Sequence, residues 1–278
     1  SRSIPSVVHE VKRLSSEGVR EFNLIAQDSS FYGRDLNDGT TLAKLLKELV
    51  KIDNVKWIRL FYLYPTYFDD ELLEIITKEE KICKYVDIPL QHISDSVLGR
   101  MHRRDSSQSI KKLLKKLRNT TPYITIRTTL MVGFPGETEA DFKELLTFIK
   151  AVKFDNMGAF TYSAQDGTPA ARMVDQVTEE TKENRYHELM AAQAEISEEN
   201  NRNLIGVDTE VLVEELLDDG CGNLQAKGRA SFQAPEVDGN VYIDHPGDLR
   251  PGDFVKAHII DGYAYDLIAE RITTDRGI

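Results

Sequence analysis

Cysteine is scarce in this chain. Its 278 residues include only two, Cys83 and Cys221, which lie far apart and outside the short spacings typical of a metal site. A disulfide framework and a cysteine-based metal site are therefore excluded for the printed residues. Two isolated thiols favour a reducing compartment, and we predict that the protein works in the cytoplasm.

Long apolar runs, a signal-peptide pattern and exact internal repeats are also absent. Because no run of about eighteen apolar residues occurs, we expect neither a membrane span nor a membrane partner. A hydrophobic content of 41% nevertheless suffices for one sizeable core and a small second domain. The opening segment, residues 1–5, contains no methionine, and we expect the chain to be a piece of a longer one.

Basic residues become rare toward the C-terminus. Residues 207–275 contain fifteen Asp or Glu against five Lys or Arg, whereas the rest of the chain holds 31 and 30. This shift predicts a domain boundary near Gly206, with one domain over 1–206 and another over 207–275. Short strand-like stretches in the second domain predict a small antiparallel β-barrel. Turn sequences separate them at residues 218–220, 238–239, 251–252 and 261–262.

Residues 1–206 alternate between strand-like and helical patterns. Strand-like segments recur at intervals of about thirty to forty residues, which is typical of an α/β fold with a parallel sheet or barrel. They are centred near Asn23, Ile58, Val86, Thr129 and Phe160, and a long helical stretch over 178–205 follows the last one. A polar or Gly/Pro loop follows each strand, so we expect functional residues to share one rim of the sheet.

The clearest strand–loop–helix unit runs from Arg127 to Lys150. Residues 128–132 form an apolar, β-branched segment, and we expect this strand to be buried on both faces. Gly133 and Gly136 bracket the turn that follows, and Thr138 begins a capping-box spacing. Two glycines at a strand end let a ligand approach the backbone, but they also suit a plain turn. Spacing alone does not separate these alternatives.

Polar residues near the strand ends are the candidates for function: Gln27, Asp28, Gln91, Arg127, Glu137 and Tyr162. Each one alone is better explained as a helix cap or a loop hydrogen-bonding group. The functional interpretation rests on their convergence at one rim. For His92, a structural role is favoured over that of a base. The basic residues between 100 and 118 are favoured as the solvated face of an amphipathic helix over a nucleic-acid patch.

Three motifs resemble radical S-adenosylmethionine (SAM) methylthiotransferases. They are MVGFPGET over 131–138, DIPLQH over 87–92, and TYS over 161–163 followed by GTPAA over 167–171. The acidic second domain resembles the TRAM domain of those enzymes, which is an OB-like barrel. The resemblance implies an α/β fold: a partial, open, parallel β/α barrel of the TIM-like radical SAM type, followed by the small antiparallel TRAM barrel. Barrels of this family have six strands, one more than the pattern predicts here.

Further motifs resemble one branch of that family. Residues 26–33, 61–65 and 234–239 are similar to the enzymes that modify an aspartate of a small-subunit ribosomal protein, the twelfth. The branch that modifies an adenosine of tRNA usually has Asn at the position of Asp28 and His before the proline that matches Pro65. The resemblance therefore implies a basic ribosomal protein as partner and argues against tRNA. A tRNA adenosine methylthiotransferase and a non-catalytic binding protein with a degenerate barrel stay open as alternatives.

The resemblance also implies cofactors and chemistry. In the family, SAM is cleaved reductively to a deoxyadenosyl radical, which takes a hydrogen from the aspartate β-carbon before a methylthio group is added. The [4Fe–4S] cluster for this step is held by a C-x3-C-x2-C loop, and no such loop occurs in this chain. We expect the cluster ligands, and a domain with a second cluster, upstream of Ser1. By itself the printed chain is then expected to be inactive.

The resemblance finally implies roles for the matched positions. Asp28 would be catalytic, and Gln27 would lie with it near the cofactor amine or the substrate. Gln91 would lie near the ribose, and no metal ligand is expected in this chain. The remaining cofactor-binding residues would be Arg127, Gly133, Phe134, Pro135, Gly136, Glu137 and Tyr162, with the run 133–137 along the adenine and methionine. We predict that Gln27, Gln91, Gly136 and Tyr162 line one concave pocket.

Overall fold

The structure is a computed structural model that describes residues 1–218 and 224–273. The chain forms two compact units, residues 1–191 and residues 192–278, named here the sheet unit and the barrel unit. The boundary predicted near Gly206 was placed where the charge composition changes, whereas the two units are defined by contacts between residues. The Gly206 boundary stays a prediction.

Five strands of the sheet unit form one open sheet in the order β1-β2-β3-β4-β5. Their bounds are Glu21–Leu24 for β1, Trp57–Leu60 for β2, Ile82–Asp87 for β3, Thr125–Val132 for β4 and Asn156–Thr161 for β5. Every neighbouring pair is parallel, so the predicted open α/β sheet is confirmed. The carboxyl ends of all five strands lie along one edge, where sheets of this type bind ligands.

Helices connect the strands, and several begin at side-chain caps. They are α1 Ile4–Ser16, α2 Leu42–Leu49, α3 Asp70–Lys78, α4 Asp95–Arg100, α5 Ser107–Arg118, α6 Glu139–Val152 and α7 Glu179–Arg202. Thr41, Asp69, Ser106 and Thr138 accept backbone N–H groups of the first helical turns. The capping box predicted at Thr138 is present. Over the described ranges, no helix has the length and apolarity needed to cross a membrane.

The burial of β4 differs from the prediction. Alternate residues from Ile126 to Val132 are buried, whereas Arg127, Thr129 and Met131 between them are partly exposed. Burial on both faces is therefore wrong for this strand. The reason is that an open sheet of five strands does not enclose its second face.

The barrel unit contains a closed barrel in the order β10-β8-β7-β6-β9. The strands are β6 Asp208–Asp218, β7 Leu224–Ala230, β8 Val241–Asp244, β9 Phe254–Gly262 and β10 Leu267–Arg271. The predicted small antiparallel barrel is confirmed: four of its five neighbouring pairs are antiparallel, and the pair of β10 with β8 is parallel. Five strands in a ring cannot all alternate in direction. The interior is apolar, with Val211, Val213, Val241, Ile243 and Ile259 among its buried residues. The turn predicted at 218–220 falls partly outside the described residues.

Candidate functional site

The loop from Gly133 to Glu137, named here the β4 loop, joins the carboxyl end of β4 to α6. Gly133 and Gly136 have φ angles of 74° and 82°, which side chains other than glycine rarely adopt. The Glu137 carboxylate folds back on the loop. Its Oε2 accepts hydrogen bonds from the backbone N–H of Gly133 at 2.5 Å and of Phe134 at 3.2 Å. One carboxylate thus fixes the turn.

Glu137 also forms a buried ion pair with Arg185 of α7. Arg185 Nη1 lies 3.1 Å from Glu137 Oε1 and donates to the Glu137 backbone carbonyl at 3.2 Å. The exposed fractions of the two side chains are 8% for Arg185 and 0% for Glu137. Burial raises the pKa of Glu137 above its ordinary value, although Arg185 and the two loop N–H groups act to lower it. Glu137 therefore supports the loop, and its contact with a cofactor stays a prediction.

The space beside both loop glycines is filled by side chains of the same chain. A Cβ atom at Gly133 would overlap Lys182, and one at Gly136 would overlap Arg100 and Asp175. The Arg100 guanidinium pairs with the Asp175 carboxylate at 2.7 Å. Protein side chains, not a ligand, therefore occupy the space next to the Cα atoms of the two glycines. Contact between the loop backbone, Pro135 included, and a cofactor stays a prediction.

Tyr162 follows β5 and packs against Phe134 of the β4 loop. The two ring centroids lie 5.2 Å apart in an edge-to-face arrangement, and the Lys182 Nζ lies 5.4 Å from the Tyr162 centroid. The Tyr162 hydroxyl is buried and has no hydrogen-bond partner among the described residues. Such a group costs free energy until a ligand or a water completes it. The Tyr162 hydroxyl is therefore an unsatisfied buried group beside the β4 loop.

Gln91 lines a cavity of about 320 Å³ at the same edge. Its backbone has a φ of 68°. Its N–H donates to the Thr129 carbonyl at 2.9 Å, and its carbonyl accepts from the Met131 N–H at 2.7 Å. The other lining residues are Arg100, Met101, His102, Arg103, Met131, Phe134, Thr168, Pro169, Ala170 and Met173. Mostly apolar walls with a few polar groups are typical of a small-molecule site.

Asp28 lies past the end of β1 and caps a short 3-10 helix. Its carboxylate accepts hydrogen bonds from the Phe31 backbone N–H at 3.2 Å and from the Ser30 hydroxyl at 2.5 Å. Asp28 also lines a second cavity, of about 430 Å³, with residues of α1, β1 and α2. The structure thus gives Asp28 a structural role, and its catalytic role stays a prediction.

The residues predicted to line one pocket are distributed along the sheet edge. Of the four, Gln91 lines the cavity of about 320 Å³, and neither Gly136 nor Tyr162 is among its lining residues. Tyr162 packs on Phe134, which does line it. Gln27 is exposed and lines neither of the two cavities described above. Because β1 and β5 are the two outer strands of the open sheet, Gln27 and Tyr162 follow strands at opposite ends of it.

Arg127 lies on the partly exposed face of β4. Its Nε is 3.7 Å from the Asp87 Oδ1 on β3, and the Asp87 Oδ2 accepts the Tyr62 N–H at 3.1 Å. A second pair, Arg59 with Glu21 at 3.1 Å, joins β2 to β1. Ion pairs thus cross the sheet between neighbouring strands. Arg127 belongs to this network, and its contact with a cofactor stays a prediction.

Sequence reasoning missed Lys182 and Arg185, although a signal for them exists. Lys182, Arg185 and Leu189 recur at spacings of three and four residues, which places them on one face of α7. All three are buried. Charged residues within a buried stripe indicate buried ion pairs, because such residues are seldom fully buried without a partner.

Two other interpretations of the sequence agree with the structure. His92 is structural: it is fully buried, and its Nδ1 accepts the Ser94 N–H at 3.0 Å. Burial lowers the pKa of His92 to about 4, so the ring is neutral near pH 7. In α5, Ile110, Leu114 and Leu117 are buried while the lysines between them are exposed, as in an amphipathic helix.

No group of three His, Cys, Asp or Glu side chains is placed to hold a metal ion within residues 1–218 and 224–273. Cys83 is buried, and Cys221 lies outside the described residues. The described residues therefore do not fit an iron–sulfur cluster, whose usual ligands are several cysteine thiolates.

The fold, the strand-end site and the sequence define a protein class. Residues 1–149 match the radical SAM superfamily, and residues 205–272 match the TRAM domain. Because the first match covers more than half of the chain, the chain belongs to the radical SAM superfamily. The structure is also similar to that of coproporphyrinogen III oxidase (HemN) from Escherichia coli, described as a radical SAM enzyme. That match has a TM-score of 0.53 and 14% identity, and it covers 69% of this chain and 46% of that one. At this identity it shows the fold alone.

Within the superfamily, the chain is similar to methylthiotransferases over almost its whole length. It is 48% identical over 270 residues to the ribosomal protein uS12 methylthiotransferase RimO of Geotalea uraniireducens, covering 97% of this chain and 60% of the relative. It is 50% identical over 270 residues to the enzyme of the same name from Pelobacter propionicus, covering 97% and 59%. The resemblance indicated by the motifs is confirmed. The chain spans about 60% of the length of these curated relatives.

Proposed function

We propose that the protein adds a methylthio group to the β-carbon of an aspartate in the small-subunit ribosomal protein uS12. One observation carries this proposal: relatives named ribosomal protein uS12 methylthiotransferase RimO are 48–50% identical over 97% of the chain. The aligned length includes both the sheet unit and the region that matches the TRAM domain. The two cysteines in the sequence suit a reaction in the cytoplasm.

The edge formed by Gln91, Phe134 and Tyr162 is the SAM site that we propose. The cavity there has apolar walls suited to an adenine and a thioether-like chain, and the buried Tyr162 hydroxyl needs a polar partner. The chemistry that SAM supplies when bound is an adenosyl group that reduction can release as a radical. Gln91 would hold the ribose, and the β4 loop would lie along the adenine.

Gln27 and Asp28 are proposed as contacts of the cofactor amine or of the substrate. The Asp28 side chain lines the larger of the two cavities, and it follows a strand of the same sheet edge. A carboxylate that is already bonded to the Phe31 N–H is held in one orientation. This fixed orientation is what a residue that positions a substrate requires.

The charge of the barrel unit supports a basic partner. Residues 207–275 hold fifteen acids against five bases, and tRNA-binding domains gain most of their affinity from basic residues on phosphates. At physiological salt the field of this surface extends about 8 Å and repels a polyanion. A strongly basic ribosomal protein is attracted instead, with faster association at low salt.

A reconstitution assay tests this function and its alternatives. The intact protein, expressed as its gene encodes it, is reconstituted without oxygen with iron and sulfide and given SAM, a reductant and either uS12 or tRNA. Mass spectrometry should show a methylthio group on one aspartate of uS12 and unmodified tRNA. A methylthio group on a tRNA adenosine would move the protein to the tRNA branch. Binding of uS12 without any modification would favour a non-catalytic binding protein.

A further inference from the structure

Two long, charged side chains on the first turns of α7 are directed to the β4 loop. The exposed fractions of these side chains are only 4% for Lys182 and 8% for Arg185. Burying a charged side chain costs free energy unless it has a partner of opposite charge and its hydrogen bonds are made. Arg185 meets this requirement through Glu137 of the loop, and Lys182 meets it through Glu179 on its own helix.

Arg185 is connected to the backbone of the loop through one carboxylate. Its Nη1 lies 3.1 Å from Glu137 Oε1, while the other oxygen of Glu137 accepts the N–H groups of Gly133 and Phe134. Its Nη2 lies 3.6 Å from the Glu139 carboxylate. The guanidinium therefore balances the charge of the carboxylate that sets the first two peptide planes of the loop.

Lys182 provides a second contact from the same helix. Its aliphatic stem lies so close to Gly133 that a Cβ atom there would overlap it. Its ammonium bonds to Glu179 at 2.6 Å and lies 5.4 Å from the centroid of the Tyr162 ring. The stem packs on the loop, and the buried ammonium is compensated by the Glu179 carboxylate.

The C-terminal end of the loop, where α6 begins, is held by Ser94, which precedes α4. The Ser94 hydroxyl donates to Asp141 Oδ1 at 2.5 Å, and Asp141 Oδ2 accepts the Thr138 N–H at 2.9 Å. Burial acts to raise the pKa of Asp141, but hydrogen bonds from Ser94 and Thr138 outweigh it and leave the pKa below its ordinary value. The Gly136 N–H donates to the Asp175 carbonyl at 2.8 Å, which holds the middle of the loop. Arg185, through Glu137, and the Lys182 stem act on its Gly133 end.

We propose that Arg185 is a positioning residue for the β4 loop, holding it through Glu137 in the conformation that receives the cofactor, with Lys182 as the second contact. This inference rests on the proposed function, because it takes SAM to be the molecule that the loop receives. Arg185 acts through Glu137 and touches no reacting atom.

The test uses the intact protein and two measurements besides activity. Hydrogen exchange follows the backbone amides of residues 133–138, and equilibrium dialysis gives the affinity for SAM. The variants are Arg185→Met, Glu137→Gln and the double variant that carries both. The matched control is Arg202→Met on the same helix, where the arginine is 65% exposed and pairs with Glu198. If Arg185→Met does not fold, Arg185→Lys and the double variant replace it.

Arg185→Met should speed exchange of the loop amides by a factor of roughly 100 or more, because it leaves a buried carboxylate without its cation. It should also weaken SAM binding by about tenfold or more, since the loop is no longer pre-organised. The double variant should recover part of both losses, because it buries no unpaired charge. Arg202→Met should change neither measurement.

Three results would overturn the inference. Faster exchange spread evenly over both units would show that Arg185 acts only on overall stability. Faster loop exchange with unchanged affinity for SAM would show that the loop conformation does not govern cofactor binding. An unmodified protein that fails to bind SAM would reject the proposed function and, with it, the cofactor part of this inference. If the unmodified protein and Arg185→Met bind SAM equally well, the positioning role of Arg185 is rejected while the proposed function stands.

Discussion

Arg185 in the sheet unit and Arg229 in the barrel unit are both buried, with 8% and 4% of their side chains exposed. Their partners differ. The Glu137 carboxylate is fully buried, whereas 35% of Glu214 is exposed. Arg229 binds Glu214 at 2.9 Å and the Gln233 carbonyl at 3.1 Å. A carboxylate that reaches water can lose its cation at little cost, and a buried one cannot. The sheet unit thus contains mutually dependent buried charges, while the barrel unit keeps one end of its pair in solvent.

The same difference extends to the two interiors. The closed barrel encloses Val, Ile, Leu and Ala side chains. Among the described residues, the buried polar residues of the barrel unit, Gln193, Ser197, Arg229 and Gln233, include a single charged group. The sheet unit has buried polar groups at the strand ends, including His92, Asp87 and Glu137. An apolar interior tolerates changes of pH and of single charges better than a network of polar groups does. The unit that carries the candidate site is therefore the more sensitive one.

Replacing the buried arginine of each unit should give the largest difference in lost stability between the two units. Arg185→Met should lower the free energy of unfolding of the sheet unit by about 3–5 kcal/mol, because a buried carboxylate is left unpaired. Arg229→Met should cost the barrel unit roughly 1–3 kcal/mol, the usual range for charged hydrogen bonds. Urea unfolding followed by the fluorescence of Trp57, the single tryptophan, measures the loss in Arg185→Met. Hydrogen exchange of β6 and β9 measures the loss in Arg229→Met. Equal losses would contradict the comparison.

Acid should destabilise the sheet unit through His92. Its pKa is about 4 in the folded protein against an ordinary value of 6.5, so between these values the unfolded chain binds a proton that the folded chain does not. Stability from this group is complete above pH 6.5 and falls as the pH drops toward 4, by up to about 3 kcal/mol. His92→Asn should flatten that part of the pH dependence of Trp57 unfolding. His245→Asn, at an exposed position of the barrel unit, should not. An unchanged slope in His92→Asn would refute this.

Substitution by alanine should destabilise the protein more at Gly133 than at Gly252, although the two glycines have similar backbone conformations. Gly133 and Gly252 have φ angles of 74° and 95°, so alanine at either should cost about 1–2 kcal/mol in backbone strain. Gly133→Ala also overlaps Lys182, whereas nothing lies within 4 Å of a Cβ atom at Gly252. Gly133→Ala should therefore cost about 1–3 kcal/mol more. Urea unfolding of the sheet unit and hydrogen exchange of the barrel unit measure the two losses. Similar values would show that Lys182 yields without cost.

Neutralising surface acids should have the smallest effect and should be specific to the barrel unit. Glu215→Gln with Glu270→Gln should slow association with uS12, the partner proposed above, about twofold at low salt, because fewer acidic charges attract a basic protein. The matched control on the sheet unit, Glu74→Gln with Glu144→Gln, should leave the rate unchanged. Stopped-flow measurements across a salt series give both rates, and the difference should vanish at high salt. A stronger effect from the control pair would locate the partner on the sheet unit instead.

Local sequence signals account for the strands, the turn and the helix caps. The capping partners Thr138 and Asp141 are three residues apart, and the Glu137 carboxylate reaches amides within four residues. The partners that the sequence did not predict are distant: Arg185 lies 48 residues beyond Glu137, and Asp175 lies 75 beyond Arg100. Such pairs depend on how helices return to the sheet, which periodicity does not encode. The sequence therefore placed Glu137 at the rim but not the direction of its carboxylate.

The closed ring of the barrel unit has a consequence for how the protein acquires its structure. Asp208 at the start of β6 pairs with His258 on β9, fifty residues later, and the parallel pair of β8 with β10 also joins non-adjacent strands. Contacts between distant residues slow folding, because the chain loses loop entropy before those contacts form. The ring should thus close in one late, cooperative step. During synthesis, β6 must wait for the ribosome to release β9 before it gains its second neighbour.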